Sequence, residues 1–122
     1  MKPTLLIVDD HAGFRSLARR LLTTGGFDVV GEAADGHAAV GAARALRPDV
    51  VLVDVQLPDI DGFEVTARIR GGSDGPSVVL TSTRDPTDYG DRVGRCGARG
   101  FIPKAELSGA ALRALIRSDP MP

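Results

Sequence analysis

The chain of 122 residues contains one cysteine, Cys96. A lone thiol closes no internal disulfide, and with no export signal the expected compartment is the reducing cytoplasm. Long apolar runs are also missing. The first apolar stretch stops at Asp9-Asp10, short of a signal peptide's core and of the roughly 20 residues that a membrane helix needs, so neither export nor a membrane anchor is expected. Charge of one sign is not in excess: 15 basic against 16 acidic residues leave a formal charge of -1, which gives no overall electrostatic case for nucleic acid or an anionic membrane. No Gly-x-x-x-x-Gly-Lys-Ser/Thr loop is present, and no Gly-x-Gly-x-x-Gly follows the first apolar run. That excludes the usual nucleotide and dinucleotide cradles. His and Cys are nowhere clustered at zinc spacing, and no internal repeat, low-complexity tract or long linker divides the chain.

What is present is an alternation. Short β-branched runs take turns with helical patterns, as in βαβ units around a parallel sheet, and 122 residues suit one domain with a real core. Leu5–Val8 reads as a strand, and Phe14, Leu17, Ala18, Leu21 and Leu22 then recur at the spacing of one helix face, closed by Gly25-Gly26. A second strand around Asp28–Ala33 carries Glu32 with Asp35 just beyond, which suggests a place near the sheet edge. Ala38–Leu46 reads as a helix closed by Pro48. Val50–Val53, apolar throughout, suits a central strand covered on both faces. The loop Leu57–Gly62 leads into a third helix reaching about Arg70, which Gly71–Pro76 breaks.

A fourth strand is expected at Ser77–Thr81. Asp85-Pro86 suits the start of a fourth helix with Tyr89, Val93 and Cys96 on one face. Gly90 and Gly94, each costing about 1 kcal/mol against alanine, should make it the least stable helix. Arg99–Ile102 reads as a short fifth strand. Ser108 is placed to cap a last helix packing Ala111, Leu112, Leu115 and Ile116 on the sheet, and Ser118–Pro122 reads as a frayed end or the stub of a linker.

Four of these strands hand a reactive side chain to the residues just past their C-terminal ends. The first runs into Asp9-Asp10, the third into Asp54, the fourth into Ser82, and the fifth into Pro103-Lys104. In an open parallel sheet those ends face one crevice, where such sheets bind ligands. Gathering Asp9, Asp10 and Asp54 is unfavourable, since like charges about 4 Å apart repel by about 4 kcal/mol at an effective dielectric of 20. Positive charge must compensate. Oxygen ligands select Mg²⁺ or Mn²⁺ over zinc, and Lys104 adds a fixed ammonium. Such a site suits phosphoryl transfer, which asks the protein for positioning and charge neutralisation. A carboxylate can itself be the nucleophile, giving an aspartyl phosphate. Asp54, alone at the end of the central strand, is the candidate acceptor; the Asp9-Asp10 pair suits a metal. Ser82 and Lys104 would hold phosphoryl oxygens.

From Leu5 to about Ile116 the chain resembles the receiver domain of two-component response regulators. The matching pieces are Asp9-Asp10-His11, Asp54 with Pro58 and Gly62 behind it, Thr81-Ser82, and Gly97 through Lys104. Asp-Asp-His and the non-proline residue after Lys104 are similar to the NarL/LuxR branch. The resemblance implies a (βα)5, flavodoxin-like α/β fold: a doubly wound parallel sheet of strand order 2-1-3-4-5, phosphorylated on Asp54 by a sensor histidine kinase or phosphotransfer protein. It implies that Asp10, Asp54 and the Gln56 backbone carbonyl ligate Mg²⁺ directly while Asp9 acts through water. It further implies that Ser82 moves toward the phosphate, that Phe101 turns inward with it, and that the face made by the fourth helix, fifth strand and fifth helix is remodelled. Gln56 and Arg84 lie where the family tunes phosphate lifetime. Ala105 follows Lys104 where many receivers have proline, and Phe101 lacks the hydroxyl of the commoner tyrosine.

Each residue also has a bland reading: an Asp after a strand is usually a helix cap, and Ser82 and Lys104 taken singly are a turn hydroxyl and a surface lysine. His11 and His37 read as exposed residues and Cys96 as a small core residue. The Arg15, Arg19 and Arg20 set reads as a solvated face, or as a kinase-docking surface. A receiver-like interaction module that takes no phosphate is the alternative function. A turnover hydrolase of the haloacid dehalogenase type would want a second Asp two residues after the nucleophile, where Gln56 stands. Output is expected through a downstream protein partner or a DNA-binding domain outside this chain. The glycines of the fourth helix suggest a pliable surface for a phosphorylation-dependent homodimer.

Overall fold

The computed structural model describes residues 2–70 and 75–116. Its strands are β1 (Thr4–Val8), β2 (Asp28–Ala33), β3 (Val50–Asp54), β4 (Ser77–Ser82) and β5 (Gly100–Pro103). All pair in parallel, in the order β2-β1-β3-β4-β5. The helices are α1 (Ala12–Thr24), α2 (Gly36–Leu46), α3 (Gly62–Ile69), α4 (Arg92–Arg95) and α5 (Gly109–Ile116). The strand order is the one the resemblance implies, and each boundary falls within a residue or two of its expected place except around α4. The expected break after Arg70 and the expected frayed end fall mainly on residues outside those described.

Alternation along each strand sends its side chains to opposite faces, and so builds two cores. Leu6, Val8, Val51, Val53, Val78 and Leu80 pack with Ala39, Ala43, Phe63 and Val65 on one side. Leu5, Ile7, Val50, Leu52 and Val79 pack with Ala18, Leu22, Phe27 and Leu112 on the other. Every residue of β3 is buried, whereas β2 at the edge buries fully only Ala33.

Three features depart from the sequence reading. In α1 only Ala18 and Leu22 are buried, while Leu17 and Leu21 are exposed: the stripe that touches the sheet is narrower than the apolar face drawn on the helix. The arginines of α1 are not all solvated. Arg15 and Arg19 converge on Glu32 of β2, at 3.0 and 2.7 Å, and hold its carboxyl below the usual carboxylate range, with the Arg19 hydrogen bond the larger influence and burial working against it.

The expected fourth helix is broken. Pro86–Tyr89 forms a 3-10 turn, capped by Asp85 accepting the Thr87 N–H, and a single α turn follows at Arg92–Arg95. Gly90 between them takes φ +60° and ψ -136°, a conformation open to glycine and closed to a helix. The apolar face survives the break: Tyr89, Val93 and Cys96 still pack against the core.

Candidate functional site

Each crevice residue owes its position to the strand before it. Val8 and Val53 are paired neighbours, so Asp9 and Asp54, one residue beyond each, emerge side by side. Asp9 is fully buried and Asp54 nearly so, and Asp10 is more open, its side chain 37% exposed. Ligand atoms of Asp9, Asp10, His11 and Asp54 all lie within 4.8 Å of one another. Lys104 reaches in from the end of β5, its Nζ 2.6 Å from Asp9 Oδ2 and 3.1 Å from Asp54 Oδ2. Its ammonium also lies 4.3 Å above the Phe14 ring centre, an attractive cation–π placement.

Hydrogen bonds fix the carboxylates. Asp54 Oδ1 accepts the Gln56 N–H at 3.0 Å, and Asp9 Oδ1 accepts the His11 N–H at 2.8 Å. The Lys104 contact to Asp54 is a hydrogen bond. Its contact to Asp9 Oδ2 is an ion pair of 2.6 Å. One ammonium faces three converging carboxylates, an excess of negative charge that fits a further cation.

Burial pushes the Asp54 carboxyl up, against the pull of the Gln56 N–H and of Lys104. For Lys104, burial pulls down, but the Asp9 and Asp54 carboxylates outweigh it and the ammonium is held above its ordinary value. Lys104 therefore remains charged at neutral pH. All described peptide bonds are trans, and the chain past Lys104, where Ala105 replaces the commoner proline, forms a 3-10 turn at Lys104–Glu106.

The loop from β3 into α3 is braced from several directions. The Gly62 N–H donates to the Val55 carbonyl at 2.8 Å, and a Cβ on Gly62 would stand 2.6 Å from the Asp54 carbonyl oxygen. Asp59 accepts the backbone N–H groups of Gly36 and His37 at 2.7 and 2.9 Å, so a loop residue caps the start of α2 alongside Asp35. Gln56, Arg84 and His11 are exposed.

Ser82 is fully buried. Its Oγ accepts the Arg84 N–H at 3.0 Å and shares a hydrogen bond of 2.8 Å with the Tyr89 hydroxyl. Phe101 is half-buried against the Tyr89 ring, with centroids 6.0 Å apart. Three contributors escaped the sequence reading: Arg15, whose Nη1 donates to the Asp9 carbonyl at 2.7 Å; Phe14 beneath Lys104; and Tyr89. Neither the Phe14 nor the Tyr89 contact has a local signal, because each joins separate elements. An Arg one turn into the helix after Asp9 was the only hint of the first.

Residues 5–117 match the family model of the response regulator receiver domain, and the chain belongs to that family. Among solved structures, the receiver domain of the putative response regulator NarL from Mycobacterium tuberculosis is 35% identical, with a TM-score of 0.84 over 95% of this chain and 98% of that one. A putative transcriptional regulator of Pseudomonas aeruginosa is 38% identical over 102 residues, 84% of this chain and 49% of that protein. The DNA-binding transcriptional activator EvgA of Escherichia coli K12 is 30% identical over 101 residues, 83% of this chain and 50% of that protein. The chain thus spans about half the length of these curated relatives. It is a response regulator receiver domain with the family's acidic pocket. Among the described residues no helix is long and apolar enough to cross a membrane.

Proposed function

We propose that Asp54 accepts a phosphoryl group from the phosphohistidine of a sensor histidine kinase or phosphotransfer protein, in the cytoplasm. The observation that carries this reading is Lys104 Nζ lying against both Asp9 and Asp54, at a crevice where the carboxylates of Asp9, Asp10 and Asp54 converge. An Asp54 carboxylate oxygen attacks phosphorus, the P–O bond forms as the P–N bond to imidazole breaks, and the imidazole leaves with the electron pair and takes up a proton. Water later cleaves the acyl phosphate, returning the carboxylate and inorganic phosphate.

Asp10, Asp54 and the Gln56 carbonyl would hold Mg²⁺, with Asp9 acting through water; the all-oxygen set of converging carboxylates fits such an ion. Bound there, magnesium supplies positive charge against the phosphoryl oxygens. The chain's own residues do the rest. The Gln56 N–H orients the Asp54 carboxylate, Lys104 pairs with a phosphoryl oxygen, and Ser82 donates to another. Gln56 and Arg84, at the pocket's exposed rim, set how readily water reaches the acyl phosphate. The rearranged face around α4, β5 and α5 then engages a downstream protein or output domain.

Incubation with Mg²⁺ and acetyl phosphate, followed by intact mass, tests this. One added phosphoryl group is expected on the native protein and none on Asp54→Asn. No gain with a donor shown to be active would favour a module that does not signal by phosphate, and labelling of Asp54→Asn at full rate would move the acceptor elsewhere.

A further inference from the structure

Ser82 is not idle in the resting molecule. Its hydroxyl is buried and already engaged, sharing a 2.8 Å hydrogen bond with the Tyr89 phenol while it accepts the Arg84 N–H. A serine hydroxyl has one proton and stands in one of three staggered positions, so turning it to a new acceptor changes its relation to Tyr89. Tyr89 is in turn the middle of a ring set. It meets Phe63 of α3 edge-on at 5.5 Å and Phe101 of β5 at 6.0 Å, and the Arg92 guanidinium of α4 lies 4.2 Å over Phe63. Directly after Tyr89 comes Gly90, at the break between the 3-10 turn and α4. Phe101 has no polar atom with which to sense Ser82. Tyr89 is the chain's one tyrosine, and the chain has no tryptophan.

We propose that Tyr89 is the positioning residue that reads the state of Ser82: its phenol holds the serine hydroxyl at rest and loses it when that hydroxyl turns to a phosphoryl group on Asp54. The released phenol shifts against Phe63 and Phe101, and the segment from Pro86 to Arg95 moves about Gly90. The inference rests on the phosphotransfer reading above.

The composition offers a direct probe, because tyrosine emission, excited at wavelengths where phenylalanine hardly absorbs, comes from Tyr89 alone in this chain. Emission and intact mass are followed in parallel on the full chain before and after Mg²⁺ with acetyl phosphate, with Mg²⁺ alone as a control. The emission of the native protein is expected to change in proportion to the phosphoryl group gained. Ser82→Ala should give the emission of the phosphorylated native protein already at rest, with no further change on labelling, and Ser82→Thr should restore the response. Tyr89→Phe, which frees the serine, should raise the initial labelling rate about 2- to 10-fold, the effect of one hydrogen bond. Full labelling of Asp54 with unchanged emission would overturn the role of Tyr89 and leave phosphotransfer standing. No mass gain from an active donor would overturn both.

Discussion

Lys104 and Asp54, fifty residues apart in sequence, form a direct hydrogen bond of 3.1 Å at the mouth of the sheet. The same ammonium touches Asp9, so one cation offsets two carboxylates that water hardly reaches. Lys104→Ala is expected to keep the fold but lower its stability by about 3–5 kcal/mol, because it leaves buried charge uncompensated. Mg²⁺ should narrow the gap, since an ion bound only by the folded state stabilises it. Urea unfolding with and without Mg²⁺ checks both; equal stability of the two proteins in metal-free buffer would remove Lys104 from this role.

Gly62 separates a steric requirement from a conformational one. Its Cβ would fall 2.6 Å from the Asp54 carbonyl oxygen and 2.8 Å from Val55 Cα, backbone atoms that cannot step aside. Gly62→Ala should therefore cost about 1–3 kcal/mol. Gly41, inside α2 with nothing within 4 Å of its Cβ position, should respond oppositely: Gly41→Ala is expected to gain about 1 kcal/mol. Denaturant midpoints at constant m-value give both signs.

Asp59 makes a pH-dependent contribution. Burial would raise its carboxyl, but the N–H groups of His37, Gly36 and Ile60 and the His37 side chain hold it far below the ordinary value. A carboxyl depressed in the folded state stabilises fully above its unfolded value of about 3.9 and loses that contribution as pH falls toward the folded one. The advantage of the native protein over Asp59→Asn should thus be constant near neutrality and shrink below about pH 4. Thermal midpoints of both proteins from pH 7 to pH 3 measure it; a gap that does not narrow contradicts the assignment.

Thr81 ties the edge strand β5 to its neighbour. Its buried Oγ1 donates to the Ile102 carbonyl at 2.6 Å. Thr81→Val keeps the shape and removes the donor, so a loss of about 1–2 kcal/mol is expected. Amide exchange faster than in the native protein at Gly100, Phe101 and Ile102, with exchange across Val50–Asp54 unchanged, would locate the loss at the edge.

Sequence by itself determined the elements whose causes are local. The apolar run of β3, the caps at Asp85 and Ser108, and the reactive residues at the strand ends follow from neighbours a few positions apart, and the motifs they spell were enough to indicate the family. Tertiary structure alone decided the rest. Which face of α1 meets the sheet left Leu17 and Leu21 outside, since a helix's apolar arc does not state how much of it the partner covers. Arg15 turned from a surface charge into a brace between Asp9 and Glu32, and Asp59 became a cap for a helix 22 residues before it. The phenol of Tyr89 meets Ser82 from a turn that ends at Gly90, where the sequence pattern alone ran on as a helix. Such contacts join segments brought together by the sheet, and their energies depend on distances that only the folded chain defines.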